Sequence, residues 1–150
     1  MPDYRPTRHG FSLIELLVTL IIAAILASVA WPAYQNQVMK GRRSDAINAL
    51  ASIAQAQERW RADNPLYQSD LTQLPGGMLV SPGLHYDLSV VENSTSRVAY
   101  ILRATVRSGS PQSRDQTCQM MQMAMSQGLF TYTSSNGSGA NSGTDPCWPQ

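Results

Sequence analysis

One acidic side chain, Glu15, interrupts an otherwise apolar run from Phe11 to Trp31. Those twenty-one residues rise about 1.5 Å each as a helix, enough to cross the hydrocarbon of a bilayer. A carboxylate in the middle of such a span costs roughly 2.5–3.5 kcal/mol, and less toward its end. It therefore needs a partner, and a cut between Gly10 and Phe11 would create one. The new ammonium group would stand four residues ahead of Glu15.

The ten residues before the span are polar and carry Arg5 and Arg8. Positive charge at this end keeps it cytoplasmic and sends the C-terminal bulk to the other side of the membrane. Two plainer readings fit the span alone. One is an uncleaved signal anchor. The other is a secretory signal peptide cut after the apolar stretch, near Ala27-Ser28-Val29-Ala30.

The run Gly10-Phe11-Ser12-Leu13-Ile14-Glu15, then an unbroken apolar helix and Pro32, resembles the class III signal of type IV prepilins and pseudopilins. No further charge occurs until Lys40. The resemblance covers roughly the first fifty residues. It implies cleavage after Gly10 by a prepilin peptidase, which also methylates the new amine of Phe11. It implies assembly with other pilin subunits into a filament, where Glu15 neutralises the Phe11 amine of a neighbour. It also implies an inner-membrane pilus assembly machinery. The subunit would sit in the inner membrane before assembly, its C-terminal domain periplasmic, and in the extracellular pilus afterwards.

The chain has 150 residues and a formal net charge of +1. Without a leader holding Asp3, Arg5 and Arg8, nine basic and nine acidic side chains remain. A nucleic-acid partner is chemically open, but no charge excess supports it. Arg97, Arg103, Arg107 and Arg114 form the one basic region, read as a solvated strand face. Arg42-Arg43 reads as helix surface or an intersubunit contact. Only two cysteines occur, Cys118 and Cys147. In an exported domain they read as a disulfide rather than two free thiols. A bridge closing about thirty residues contributes some 3–4 kcal/mol in the chain-entropy picture.

Beyond Pro32, Ile47, Leu50, Ile53 and Ala54 share one helical face, while Asp45, Asn48, Ser52, Gln55 and Arg59 gather opposite. Asp63-Asn64-Pro65 ends the helix. From Tyr86 the period changes to two. Tyr86, Leu88 and Val90 form one run, Tyr100, Leu102, Ala104 and Val106 a second, and Met121, Met123 and Met125 a third. Gln127-Gly128 marks a turn before Leu129 to Thr133.

The expected fold is α+β and pilin-like. A long kinked N-terminal helix, part transmembrane and part amphipathic, packs on a three- to four-stranded antiparallel sheet. Its segments are a cleaved leader (1–10), a membrane or filament-core helix (11–31) and an amphipathic helix (32–62). A connecting loop (63–85), the sheet (86–133) and a disulfide-closed C-terminal loop (134–150) follow. The Ser-, Gly- and Asn-rich stretch from Ser134 to Ser142 reads as a mobile loop anchored only by Cys147.

No catalytic constellation, phosphate loop or metal-ligand spacing is present, so neither enzyme chemistry, cofactor nor metal is expected. The histidines are His9, in the leader, and His85, at a strand start. The methionine run suits core packing better than soft-metal binding. The expected function is a structural and assembly subunit, a minor pilin. The alternatives are a type II secretion pseudopilin and a binding module on a signal anchor.

Overall fold

A 51-residue helix, α1 (Leu13–Asp63), is followed by four strands. They are β1 (Tyr86–Val90), β2 (Ala99–Val106), β3 (Met120–Ser126) and β4 (Leu129–Ser135). The computed structural model describes residues 11–141 and 145–149. The expected leader, with Gly10, and Ser142 therefore lie outside the described residues. The chain divides into two compact units, Met1–Gln37 and Val38–Gln150.

In the first unit, α1 starts on the Ser12 carbonyl, which accepts from the N–H groups of Glu15 and Leu16 at 3.1 and 3.2 Å. Large apolar side chains from Leu13 to Val29 are all exposed in the single chain. Two polar residues in this stretch satisfy themselves. Thr19 Oγ1 donates to the Leu16 carbonyl at 2.9 Å, and Ser28 Oγ to that of Ile25 at 2.7 Å. Neither hydroxyl then needs water, which suits a lipid or helix-lined surrounding. Pro32 lies inside the helix, which continues through it although this residue has no N–H to donate.

In the second unit, α1 buries Ala46, Ala49, Leu50, Ile53, Ala54, Ala56 and Gln57. The spacing is that of one helical stripe, and the alanines let the helix axis come close to the sheet. The expected face is thus observed, except that Ile47 sits at its margin, partly buried. The strands form an antiparallel meander in the order β1-β2-β3-β4. Leu88 stands opposite Ala104, Leu102 opposite Met123, and Tyr100 opposite Met125. Tyr86, Tyr100, Leu102 and Met121 are fully buried beneath α1. The methionines are core side chains, where unbranched thioethers fill gaps between the tyrosines.

The β3–β4 hairpin turns on Gln127 and Gly128, both at positive φ, 52° and 82°. Two-residue hairpins favour this conformation because it follows the strand twist. The connecting loop is held from inside. Fully buried Gln57 donates to the Gln68 carbonyl at 2.7 Å and accepts from the Gln68 N–H at 2.9 Å. Leu71 and Leu74 are buried beside it. A Cβ at Gly77 would run into the Leu71 carbonyl, so only glycine fits there.

Candidate assembly site and anchored C-terminal loop

Phe11 and Glu15, the residues expected to act in assembly, lie at the start of α1 and are solvent-exposed in the single chain. Ser12 stands just before the first helical residue and Glu15 follows three residues later, the spacing of a capping box. This signal was present in the sequence and places the acid in the first helical turn. There the positive end of the helix dipole offsets part of its burial cost. Among the described residues, no cation lies within ion-pair distance of the Glu15 carboxylate.

Cys118 and Cys147 are joined by a disulfide with Cα atoms 5.8 Å apart. The C-terminal loop has further anchors, which corrects the expectation of a single one. Trp148 is buried, donates its indole N–H to the Thr133 carbonyl at 3.1 Å and lies 4.8 Å from the Tyr132 ring centre. Buried Ser134 donates to Asp145 at 2.6 Å, and Asp145 also accepts from the Cys147 N–H at 2.9 Å. Asn141 N–H donates to the Ser134 carbonyl at 2.9 Å. An indole and a short polar run flanking the cysteine carry no periodicity, so the sequence reading missed them.

A larger miss lies at Arg43. It is not a free surface group but half of a buried ion pair. Its guanidinium meets both oxygens of Asp115, Nε to Oδ2 at 2.6 Å and Nη2 to Oδ1 at 2.8 Å. Asp115 is 2% exposed on its side chain and Arg43 14%. The same carboxylate accepts from Gln112 Nε2 at 2.8 Å and from the Thr117 and Cys118 N–H groups at 3.1 and 3.2 Å. One acid thus ties α1, the short 3-10 helix Pro111–Arg114 and the cysteine of the bridge. Gln112 also donates to the Tyr86 hydroxyl at 3.0 Å. Burial raises the Tyr86 phenol to about 12, with the Gln112 hydrogen bond opposing the rise. Gln112 Oε1 is left without a partner.

The expected basic region is not one patch. Arg107 pairs with Asp87 at 3.1 Å. The Arg103 guanidinium faces the Gln122 side-chain amide at 2.9 Å. Arg97 and Arg107 flank β2 at opposite ends, roughly 30 Å apart at about 3.3 Å per residue.

His85 Nδ1 lies 2.9 Å from Ser110 Oγ. That hydroxyl accepts from Gln112 N–H at 3.1 Å, which leaves its proton for the unprotonated ring nitrogen. Desolvation first, and Arg42 second, hold His85 below its ordinary value against the pull of Asp45. The folded chain therefore binds this proton less readily than the unfolded chain. The stability it contributes is complete above about pH 6.5 and declines as pH falls through that value toward the folded-state pKa. We expect the urea midpoint to drop between about pH 7.5 and about pH 5, and His85→Gln to make the drop shallower. An identical pH profile in the variant would show that His85 is not the titrating group.

A family described as type IV minor pilin ComP, DNA uptake sequence receptor, matches residues 32–122. The prokaryotic N-terminal methylation motif matches residues 5–31. Fimbrial protein EcpC of Eikenella corrodens is 29% identical over 104 residues, 69% of this chain and 66% of that protein. Type II secretion system core protein G of Pectobacterium carotovorum subsp. carotovorum is 31% identical over 62 residues, 41% of this chain and 40% of its own. Type IV major pilin protein PilE of Neisseria gonorrhoeae is 35% identical over 65 residues, 43% of this chain and 39% of its own. The matches thus span just under two thirds of the Eikenella protein and about two fifths of the other two.

Proposed function

The chain belongs to the type IV minor pilin family whose model covers residues 32–122, and on that premise we propose that it is a structural and assembly subunit of a type IV pilus. The observation that carries the reading is the union of a methylation motif over residues 5–31 with a helix that exposes every large apolar side chain from Leu13 to Val29. Such a helix has to be covered by lipid before assembly and by other pilin helices afterwards. The relatives include a fimbrial protein and a type IV major pilin, and no enzyme role is proposed. The second unit lies outside the cytoplasm, where the Cys118–Cys147 bridge can persist.

Processing is proposed between Gly10 and Phe11 by a prepilin peptidase, with methylation of the Phe11 amine. Glu15 then pairs with that amine on a neighbouring subunit. Moving from lipid to a helical core exchanges one apolar surrounding for another, so helix packing and this charge pair supply the preference. Mass spectrometry of sheared filaments tests the reading directly. The expected N-terminus is methylated Phe11. Gly10→Val should leave a membrane-bound precursor, with at least a tenfold loss from filaments. A mature N-terminus near Trp31 would instead restore the secretory signal peptide.

The match to the type II secretion protein keeps a pseudopilin as the second assembly reading. The disulfide-closed loop favours the pilus. The family description also names a DNA uptake sequence receptor, and duplex DNA is accordingly proposed as a ligand. Arg59, Arg97 and Arg114 are exposed and free to meet phosphates. Retardation of duplex DNA by the full chain, weakening steeply with salt, is the expected result. Salt-independent or absent retardation would remove DNA from the account.

A further inference from the structure

Phe130 and Tyr132 point to the core face of β4, opposite Met125 and Met123. Those methionines are buried at 3% and 5% exposure, yet Phe130 and Tyr132 remain 36% and 47% exposed. The helix therefore covers β3 and stops short of β4. What remains is an open groove of about 280 Å³, with Met123 as its floor. Ala51, Ala54 and Gln55 of α1 form one wall, and the two aromatic rings form the other.

Glu58 stands in the lining as its one carboxylate. Its carboxylate accepts from the Tyr67 hydroxyl, 3.2 Å from each oxygen, and from the Tyr100 hydroxyl at 3.5 Å. Among the described residues, no cation lies within ion-pair distance of it. Two phenols thus hold a carboxylate beside an aromatic wall, with its counter-charge unfilled. Desolvation first, and Glu58 second, push both Tyr67 and Tyr100 above the ordinary phenol value, so the phenols remain donors.

We propose that this groove seats a lysine or arginine side chain of an adjacent pilin subunit, with Glu58 as its counter-charge. The inference rests on the pilus reading above. Size and charge select this occupant. Pockets for drug-sized ligands run from about 300 to 1,000 Å³, so this groove lies at their lower edge and has room for one long side chain. A basic side chain lays an aliphatic stem along apolar walls and keeps its charged head at the rim. Aromatic faces attract that head as well. A purely apolar side chain would desolvate Glu58 and give it nothing in return.

The test places a photo-crosslinking amino acid at the exposed rim residue Gln55 of the full chain, in cells that assemble pili. Filaments are sheared and adducts mapped by mass spectrometry. The expected adduct joins Gln55 to a peptide of another pilin subunit, at or beside a lysine or arginine. Glu58→Gln, which keeps the shape and its hydroxyl contacts, should cut adduct yield at least fivefold while the Cys118–Cys147 bridge stays closed. Glu58→Lys should abolish the adduct, and glutamate at the mapped basic position should restore it. Adducts to lipid, adducts with no cation beside them, or a yield indifferent to Glu58→Gln would each overturn the inference. So would the absence of an adduct from filaments that contain the subunit. Absence of the subunit from all filaments would instead overturn the pilus reading, and this inference with it.

Discussion

Arg43→Ala should cost the folded domain about 3 kcal/mol, the lower end of the range for breaking a buried pair. The lower end applies because Asp115 keeps three other donors, the Gln112 amide and the Thr117 and Cys118 N–H groups. Even so, the loss is a large part of the roughly 5–15 kcal/mol that a domain holds in reserve. In urea it should appear as a midpoint lowered by roughly 1–2 M, read by tryptophan fluorescence of the detergent-solubilised chain. Asp115→Asn should cost less. At 14% exposure Arg43 can turn to water once its partner is neutral, whereas Asp115 at 2% exposure cannot. Swapping both residues for leucine should not recover stability, although such swaps often do. The buried Cys118 N–H would then have no acceptor. An unchanged midpoint in Arg43→Ala, or a greater loss in Asp115→Asn, would show that the pair is not what ties α1 to the bridge.

Glu15→Val should enter the membrane at least as well as the parent chain, since it removes the one charge from the span. It should still be cut after Gly10, because the residues flanking that bond are unchanged. Its share of sheared filaments, relative to membranes, should fall at least tenfold. The reason is the surroundings of the carboxylate. Near water, two charges 4 Å apart attract by about 1 kcal/mol, and at the effective dielectric of protein by about 4 kcal/mol. On the proposed pairing, a filament core would reward the contact with Phe11 where a single chain in detergent would not. Glu15→Gln keeps the shape without the charge and should fall in between. Wild-type incorporation of Glu15→Val would remove the carboxylate from the assembly mechanism.

Periodicity made most of the fold legible. The alternation of Met121, Met123 and Met125 located β3 and its buried face, and Gln127-Gly128 located the hairpin. The stripe through Leu50 and Ile53 located the packed half of α1. Each is a local pattern tied to water exclusion. The polar ties were not legible for the opposite reason. Arg43 and Asp115 are separated by 72 positions. Nothing near either residue distinguishes it from a solvated charge. Gln57 and Trp148 likewise act through partners that only the folded chain supplies. The same holds for the groove at Glu58. It arises where α1 ends its cover of the sheet, and that depends on how a helix lies across strands rather than on any run of residues.

The polar ties along α1 also bear on how the domain answers a pull. Arg43 holds Asp115, Asp45 accepts from the Gly83 N–H at 3.0 Å, Gln57 clamps Gln68, and Arg61 donates to the Arg97 carbonyl at 3.0 Å. From Arg43 to Arg61 these fastenings are spread over roughly 27 Å of helix at about 1.5 Å per residue. Tension applied along the axis of α1 strains them side by side, as in a shear joint. A sideways pull would open them one after another, like a zip. In the filament proposed above, subunits would be linked through this helix, so traction would arrive in the direction the joint resists best.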